Sequence, residues 1–123
     1  MTHIVDLWAT AIEWGQGSVA VPGRTPYPIR ARSLVPTLRG QPGKGHEYVL
    51  AGNQWGVAGG DRCILTASGL KLRQLDLDGD RIPEYEELYD LERDPGEARD
   101  LSADPLRARW LRHLRAVLAA ESP

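Results

Sequence analysis

The sequence predicts an α+β fold: a small antiparallel sheet packed by a C-terminal helix, preceded by another helix and a long loop. Three observations carry that expectation. Glycine-separated runs of β-formers fill residues 47–91, a capped apolar stripe runs from 104 to 118, and apolar residues recur at helical spacing behind Thr2.

The first helix is read over residues 3–14. Ile4, Val5, Leu7, Trp8, Ala11 and Ile12 share helical spacing, Thr2 is the expected N-cap, and Gly15 and Gly17 end the pattern. From Gln16 to Arg32 the chain carries Gly17, Pro22, Gly23, Pro26 and Pro28 without a sustained period, as a long surface connection does. One helical turn is expected between Ser33 and Arg39, with breaks at Gly40 and over residues 41–45. Short strands follow at Glu47–Ala51, Trp55–Val57, Arg62–Thr66 and Leu70–Leu75, with a further one at Glu87–Leu91. Asp104 caps the last helix, Pro105 takes its first position, and Leu106, Trp110, Leu111, Leu114, Val117 and Leu118 form its apolar stripe.

Composition narrows the function classes. With 13 Gly, 9 Pro and no Phe in 123 residues, the core must come from Leu, Val, Ile and four Trp. Ordering costs roughly 1.5 kcal/mol per residue while burial contributes about 25 cal/mol per Å², so this supply is thin. The formal net charge of -2, from 15 basic and 17 acidic residues, gives no global field to attract nucleic acid or a membrane surface. No stretch of about 18 apolar residues occurs, and no basic flank with an apolar run opens the chain. A single cysteine, Cys63, excludes an intrachain disulfide and a multi-thiolate zinc site and reads as a buried strand thiol.

The segment Glu87-Leu88-Tyr89-Asp90-Leu91-Glu92-Arg93-Asp94-Pro95-Gly96-Glu97-Ala98-Arg99-Asp100-Leu101 carries the most identity. Leu88 and Leu91 suit burial, Asp94-Pro95-Gly96 suits a tight turn with Gly96 at positive φ, and Glu97 is expected to meet solvent or a backbone donor. The segment closely resembles the ELYDL-x-x-DP-x-E-x-x-NL ending of sulfatases. Two weaker matches precede it in the same order. His3-Ile4-Val5-Asp6-Leu7-Trp8-Ala9-Thr10 resembles the sulfatase H-x-D-L-x-P-T-L helix, with Ala9 at the usual proline, and Ser33-Leu34-Val35-Pro36-Thr37-Leu38-Arg39-Gly40 resembles the G-x-SL-x-P-x-L-x-G element. Where sulfatases often show a V-R-x-G-x-x-K-Y strand, this sequence has Ala58 and Cys63 in place of Arg and Lys, which weakens any anion-binding role there.

The resemblance implies an alkaline-phosphatase-like hydrolase of sulfate esters or sulfamates, with a formylglycine nucleophile made within C/S-x-P-x-R and a divalent cation, usually calcium, in the complete enzyme. Cys63 is followed by Ile64, Leu65, Thr66 and Ala67, so that motif is missing here, and no catalytic residue or cofactor is expected in this chain. Residues 1–40 match the end of the sulfatase catalytic domain and residues 41–123 its C-terminal subdomain, so the expected partners are an absent catalytic domain and a sulfated small molecule or glycan.

Two clusters compete with that reading. Asp76, Asp78 and Asp80 look like a calcium loop, but Arg81 stands where an EF-hand loop needs glycine, and a polar hairpin turn explains the same residues. Arg107, Arg109, Arg112, His113 and Arg115 offer an anion-binding face, yet cations along a helix also complement its dipole. A non-catalytic calcium- or anion-binding module is therefore the alternative function. His46 and Glu47 precede a strand that, by resemblance, lies near the substrate-cleft rim of sulfatases, and they are the candidate substrate contacts; the plainer reading makes them loop polar residues. His3 reads as a helix-surface residue.

Overall fold

A computed structural model describes residues 1–17, 31–43, 45–53, 60–80 and 82–121. The chain divides into two compact units, Met1–His46 and Glu47–Pro123.

In the first unit, α1 spans Ile4–Trp14 and α2 spans Val35–Leu38. The N-cap of α1 is His3 rather than Thr2: the His3 ring accepts from the Val5 N–H, and Asp6 closes a capping box back onto the His3 backbone. Gly15 is the C-cap at an ordinary φ of -78°, and the left-handed conformation falls on Gln16, at φ 59°. The expected apolar stripe is not buried within this unit. Ile4, Val5, Leu7 and Trp8 stand exposed, and α1 instead buries Asp6 and Ala9. Val35 of α2 is also buried, and Gly40, at φ +71, ends that turn in the left-handed conformation glycine tolerates best.

The second unit is a four-stranded antiparallel meander, β1 Tyr48–Asn53, β2 Gly60–Thr66, β3 Leu70–Asp76 and β4 Tyr85–Asp90, in sheet order β1-β2-β3-β4. The last strand begins two residues earlier than expected, and the strand expected over Trp55–Val57 lies outside the described residues. Register places Leu50 opposite Ile64, Ile64 opposite Leu72, and Leu72 opposite Leu88. Side chains alternate across a strand, so these four leucine and isoleucine residues form one row on one face.

A 3-10 turn, Pro105–Arg107, leads into α3, Ala108–Glu121. Asp104 caps that turn by accepting from the Leu106 N–H at 2.9 Å, as the sequence indicated. Leu111, Leu114 and Leu118, at helical spacing, join Ile64, Leu70, Leu72 and Leu88 in the core, with Tyr48, Leu50, Leu101 and Val117 at its margin. Leu106 and Trp110 are exceptions to the expected stripe. Both are exposed because the 3-10 turn breaks the helical phase that would have aimed Leu106 inward, and Trp110 instead sets its ring edge against His113.

Leu72 is fully buried at the centre of the row. Leu72→Ala is expected to cost about 2–5 kcal/mol, measured by urea unfolding of the second unit's tryptophan signal, whereas Leu106→Ala should change stability by less than about 0.5 kcal/mol.

Candidate functional site

The polar centre of the first unit is the Asp6 carboxylate, which is wholly buried. Its position as the third residue of α1 turns it back over the helix N-terminus, where backbone N–H groups lack helical partners. It accepts from the His3 N–H at 2.7 Å and from the Arg32 N–H at 2.7 Å. The Nε2 of His46 lies 2.9 Å from each of its oxygens. Burial pushes the Asp6 pKa up, but the His3 and Arg32 N–H groups and the His46 ring more than offset this and hold it below its ordinary 3.8. One turn on, the Thr10 hydroxyl donates to the Asp6 carbonyl at 2.6 Å and accepts from the Leu34 N–H at 2.8 Å. The Arg32 guanidinium donates to the Gly45 carbonyl at 2.5 Å, and the His46 N–H donates to the Met1 carbonyl at 3.2 Å. One carboxylate thus gathers three chain segments.

His46 is therefore a half-buried partner of Asp6, while Glu47 is exposed and its carbonyl accepts from the Ala67 N–H at 2.8 Å. The two candidate substrate contacts belong to different units. Asp6 itself was missed as a polar hub. Its signal was the three-residue spacing of a capping box, obscured because histidine occupies the cap where Ser, Thr or Asp is usual.

In the second unit, the segment from Glu87 to Leu101 turns many of its acidic and apolar side chains onto the scaffold, while Glu92, Arg93, Pro95, Ala98 and Arg99 are exposed. Glu87 accepts from Arg73 at 3.2 Å, and Arg73 also reaches Asp61 at 3.0 Å, so three charges run across the outer face of the sheet. Asp90 takes Arg107 at 3.2 Å, and Asp94 accepts from the Arg99 N–H at 2.8 Å. Glu97 meets Lys71 Nζ at 2.8 Å through both oxygens, rather than solvent or a backbone donor. The positive φ of the turn falls on Glu97, at 54°, and not on Gly96. The strain of a left-handed residue with a side chain is held there by the tie to Lys71. Asp100 accepts from the Leu88 N–H at 2.9 Å and the Ser102 N–H at 2.8 Å. Burial raises its pKa, but those donors outweigh burial and lower it. An open cavity of about 670 Å³ borders this segment, lined by Arg93, Arg99 and Arg107 but also by Asp90, Asp94 and Asp104, so its charges are balanced.

At the β3–β4 tip each carboxylate is turned onto backbone. Asp76 accepts from the Gly79 N–H, Asp78 from the Asp80 N–H, Asp80 from the Ile82 N–H and Glu84 from the Leu77 N–H. The carboxylates that converge, within 4.8 Å of one another, are Asp76, Asp78 and Glu84, so Asp80 lies outside the group. On the basic helix, Arg107 pairs with Asp90 and Arg115 with Glu86, while Arg109, Arg112 and His113 are exposed. Cys63 is half-buried on β2 opposite Arg73, and no described helix is long and apolar enough to cross a membrane.

No family model matches the sequence, and no curated protein does. Solved structures do. BT1596, a 2-O GAG sulfatase, aligns with a TM-score of 0.72 at 30% identity over 94% of this chain. This chain is a C-terminal sulfatase-like region. It spans 23% of the length of BT1596. BT4656, solved in complex with its substrate D-glucosamine-2-N,6-O-disulfate, aligns with a TM-score of 0.68 at 20% identity, over 94% of this chain and 22% of its own. A third structure, BT33336S-sulf, from work on the metabolism of multiple glycosaminoglycans by Bacteroides thetaiotaomicron, gives 0.62 at 18% identity over 94% and 24%. These two share the fold.

Within the sulfatase-like region, the family-resembling segments are thus tied to the scaffold through Asp6, Asp90, Asp94, Glu97 and Asp100. Asp6 has a folded pKa below its unfolded value, so its stabilisation is complete above that unfolded value and is lost as pH falls through the folded one. Amide exchange of α1 should therefore accelerate below about pH 4 in the wild type, and a pH-independent exchange profile after normalisation would contradict this. Glu97→Gly should relieve backbone strain yet destabilise through loss of the Lys71 tie, while Glu97→Gln should retain part of it; chemical denaturation of both separates the two effects, within about 1 kcal/mol.

Proposed function

We propose that this chain is the accessory C-terminal part of a sulfuric ester hydrolase, completing its fold and shaping the rim of the substrate cleft. The observation that carries the reading is the match to BT1596 over 94% of this chain but only 23% of that protein. The outward face of α1 supports it. Ile4, Leu7 and Trp8 are 76%, 58% and 64% exposed, an apolar patch of the kind that seats on another protein surface. In this reading the patch docks on the larger catalytic part, and Asp6 on the opposite side keeps the helix in place.

The complete enzyme hydrolyses a sulfate ester or sulfamate on a glycan. Sulfated sugars are the substrate class because BT1596 is a 2-O GAG sulfatase and BT4656 holds a disulfated glucosamine. Formylglycine and calcium belong to the catalytic part by resemblance, and none of this chain's residues is assigned to either. The alternative, a calcium- or anion-binding module, is less favoured. The Asp76, Asp78 and Glu84 carboxylates already accept backbone N–H groups, and Arg107 and Arg115 already hold carboxylates.

The test is replacement. Substituting this chain for the corresponding region of BT1596 should give a chimera that hydrolyses a 2-O-sulfated disaccharide, while deleting that region abolishes activity. Full activity of the deletion, or turnover of a chromogenic sulfate ester by the pure 123-residue chain that is lost in Cys63→Ala, sinks the reading. Trp8→Glu should leave the pure chain's stability within about 0.5 kcal/mol and lower the chimera's soluble yield.

A further inference from the structure

The Asp6–His46 pair decides more than how the first unit is held together. Both Asp6 oxygens lie 2.9 Å from the same ring nitrogen, Nε2. An ionised carboxylate only accepts, so Nε2 must carry a hydrogen whether the ring is neutral or charged. The two backbone donors from His3 and Arg32 occupy other directions on the carboxylate and fix its plane, and with it the ring. The atom left over is Nδ1, which meets no polar partner among the described residues. The same division of labour recurs wherever a carboxylate fixes one histidine nitrogen so that the other can act on a ligand.

We propose that Asp6 is a positioning residue that holds His46 as the Nε2–H tautomer, leaving Nδ1 to accept a hydrogen bond from a hydroxyl of a sulfated sugar. This rests on the substrate-rim reading above and names the atom that makes the contact.

Nitrogen-15 NMR of the full chain, at a pH high enough that the imidazole is neutral, tests the two parts separately. His46 is expected to show a protonated Nε2 and a pyridine-like Nδ1, and Asp6→Asn to give a mixture of tautomers. An Nδ1–H tautomer in the wild type overturns the proposal whatever the sugar does. Adding glucosamine-2-N,6-O-disulfate at millimolar concentration should then shift the Nδ1 resonance. His46→Gln, which keeps a donor for Asp6 but has nothing at the Nδ1 position, should keep the fold and bind about tenfold more weakly, the loss of one well-placed hydrogen bond. Equal affinity in His46→Gln overturns the sugar contact. An unmoved Nδ1 in the wild type overturns it too, and with the Nε2–H tautomer intact that result counts against the rim reading rather than against the role of Asp6.

Discussion

The second unit depends on one cross-strand row. Leu50, Ile64, Leu72 and Leu88 face one another across all four strands, and Leu111, Leu114 and Leu118 of α3 close over them. Each such side chain contributes about 1.5–3 kcal/mol when removed from water, and this chain has few others to spend. Register is therefore strongly determined. A slip of one residue would carry Cys63, Arg73 and Glu87 under the helix and bring the row out to solvent. The ion pairs of Arg73 with Asp61 and Glu87 mark the face that must stay outside.

The first unit solves the same problem with polar contacts. Where a larger domain would bury an apolar stripe, α1 buries Asp6 and leaves Ile4, Leu7 and Trp8 outward. A buried carboxylate is tolerable only with its acceptors filled, and here a capped helix end, a loop N–H and an imidazole fill them. Such a hub specifies geometry more than it adds stability.

Much of this was legible in the sequence where local chemistry and tertiary role agree. Asp104-Pro105 announced the start of the last helix, and the glycine-separated β-formers of β2 and β3 paired as their spacing implied. Legibility failed where the deciding partner is distant. For the stripe of α1, periodicity reports which face is apolar, and its exposure here agrees with a helix read as the end of an absent catalytic domain. The turn at Asp94-Pro95-Gly96 put its positive φ on Glu97 because Lys71, 26 residues away, rewards a side chain there. His46 looked like a loop residue since its partner Asp6 is 40 positions distant. The family-like segments were the clearest part of the sequence, and the bonds they make explain why: Asp90, Asp94, Glu97 and Asp100 each hold a neighbouring strand, turn or helix in place.

The pairing of Leu88 has a bearing on how such a sheet survives in crowded solution. Its N–H is taken by the Asp100 carboxylate and its carbonyl by the Leu101 N–H at 2.8 Å, so the outer border of β4 is occupied at its middle by a side chain and a single loop residue. A strand border with free donors and acceptors recruits strands from other molecules, which is how sheets grow into aggregates. Here the returning loop interrupts that template with a negative charge before a second chain can zip along it. The stretch that closes the fold therefore also ends the sheet, and a change at Asp100 would reopen a seam for intermolecular growth.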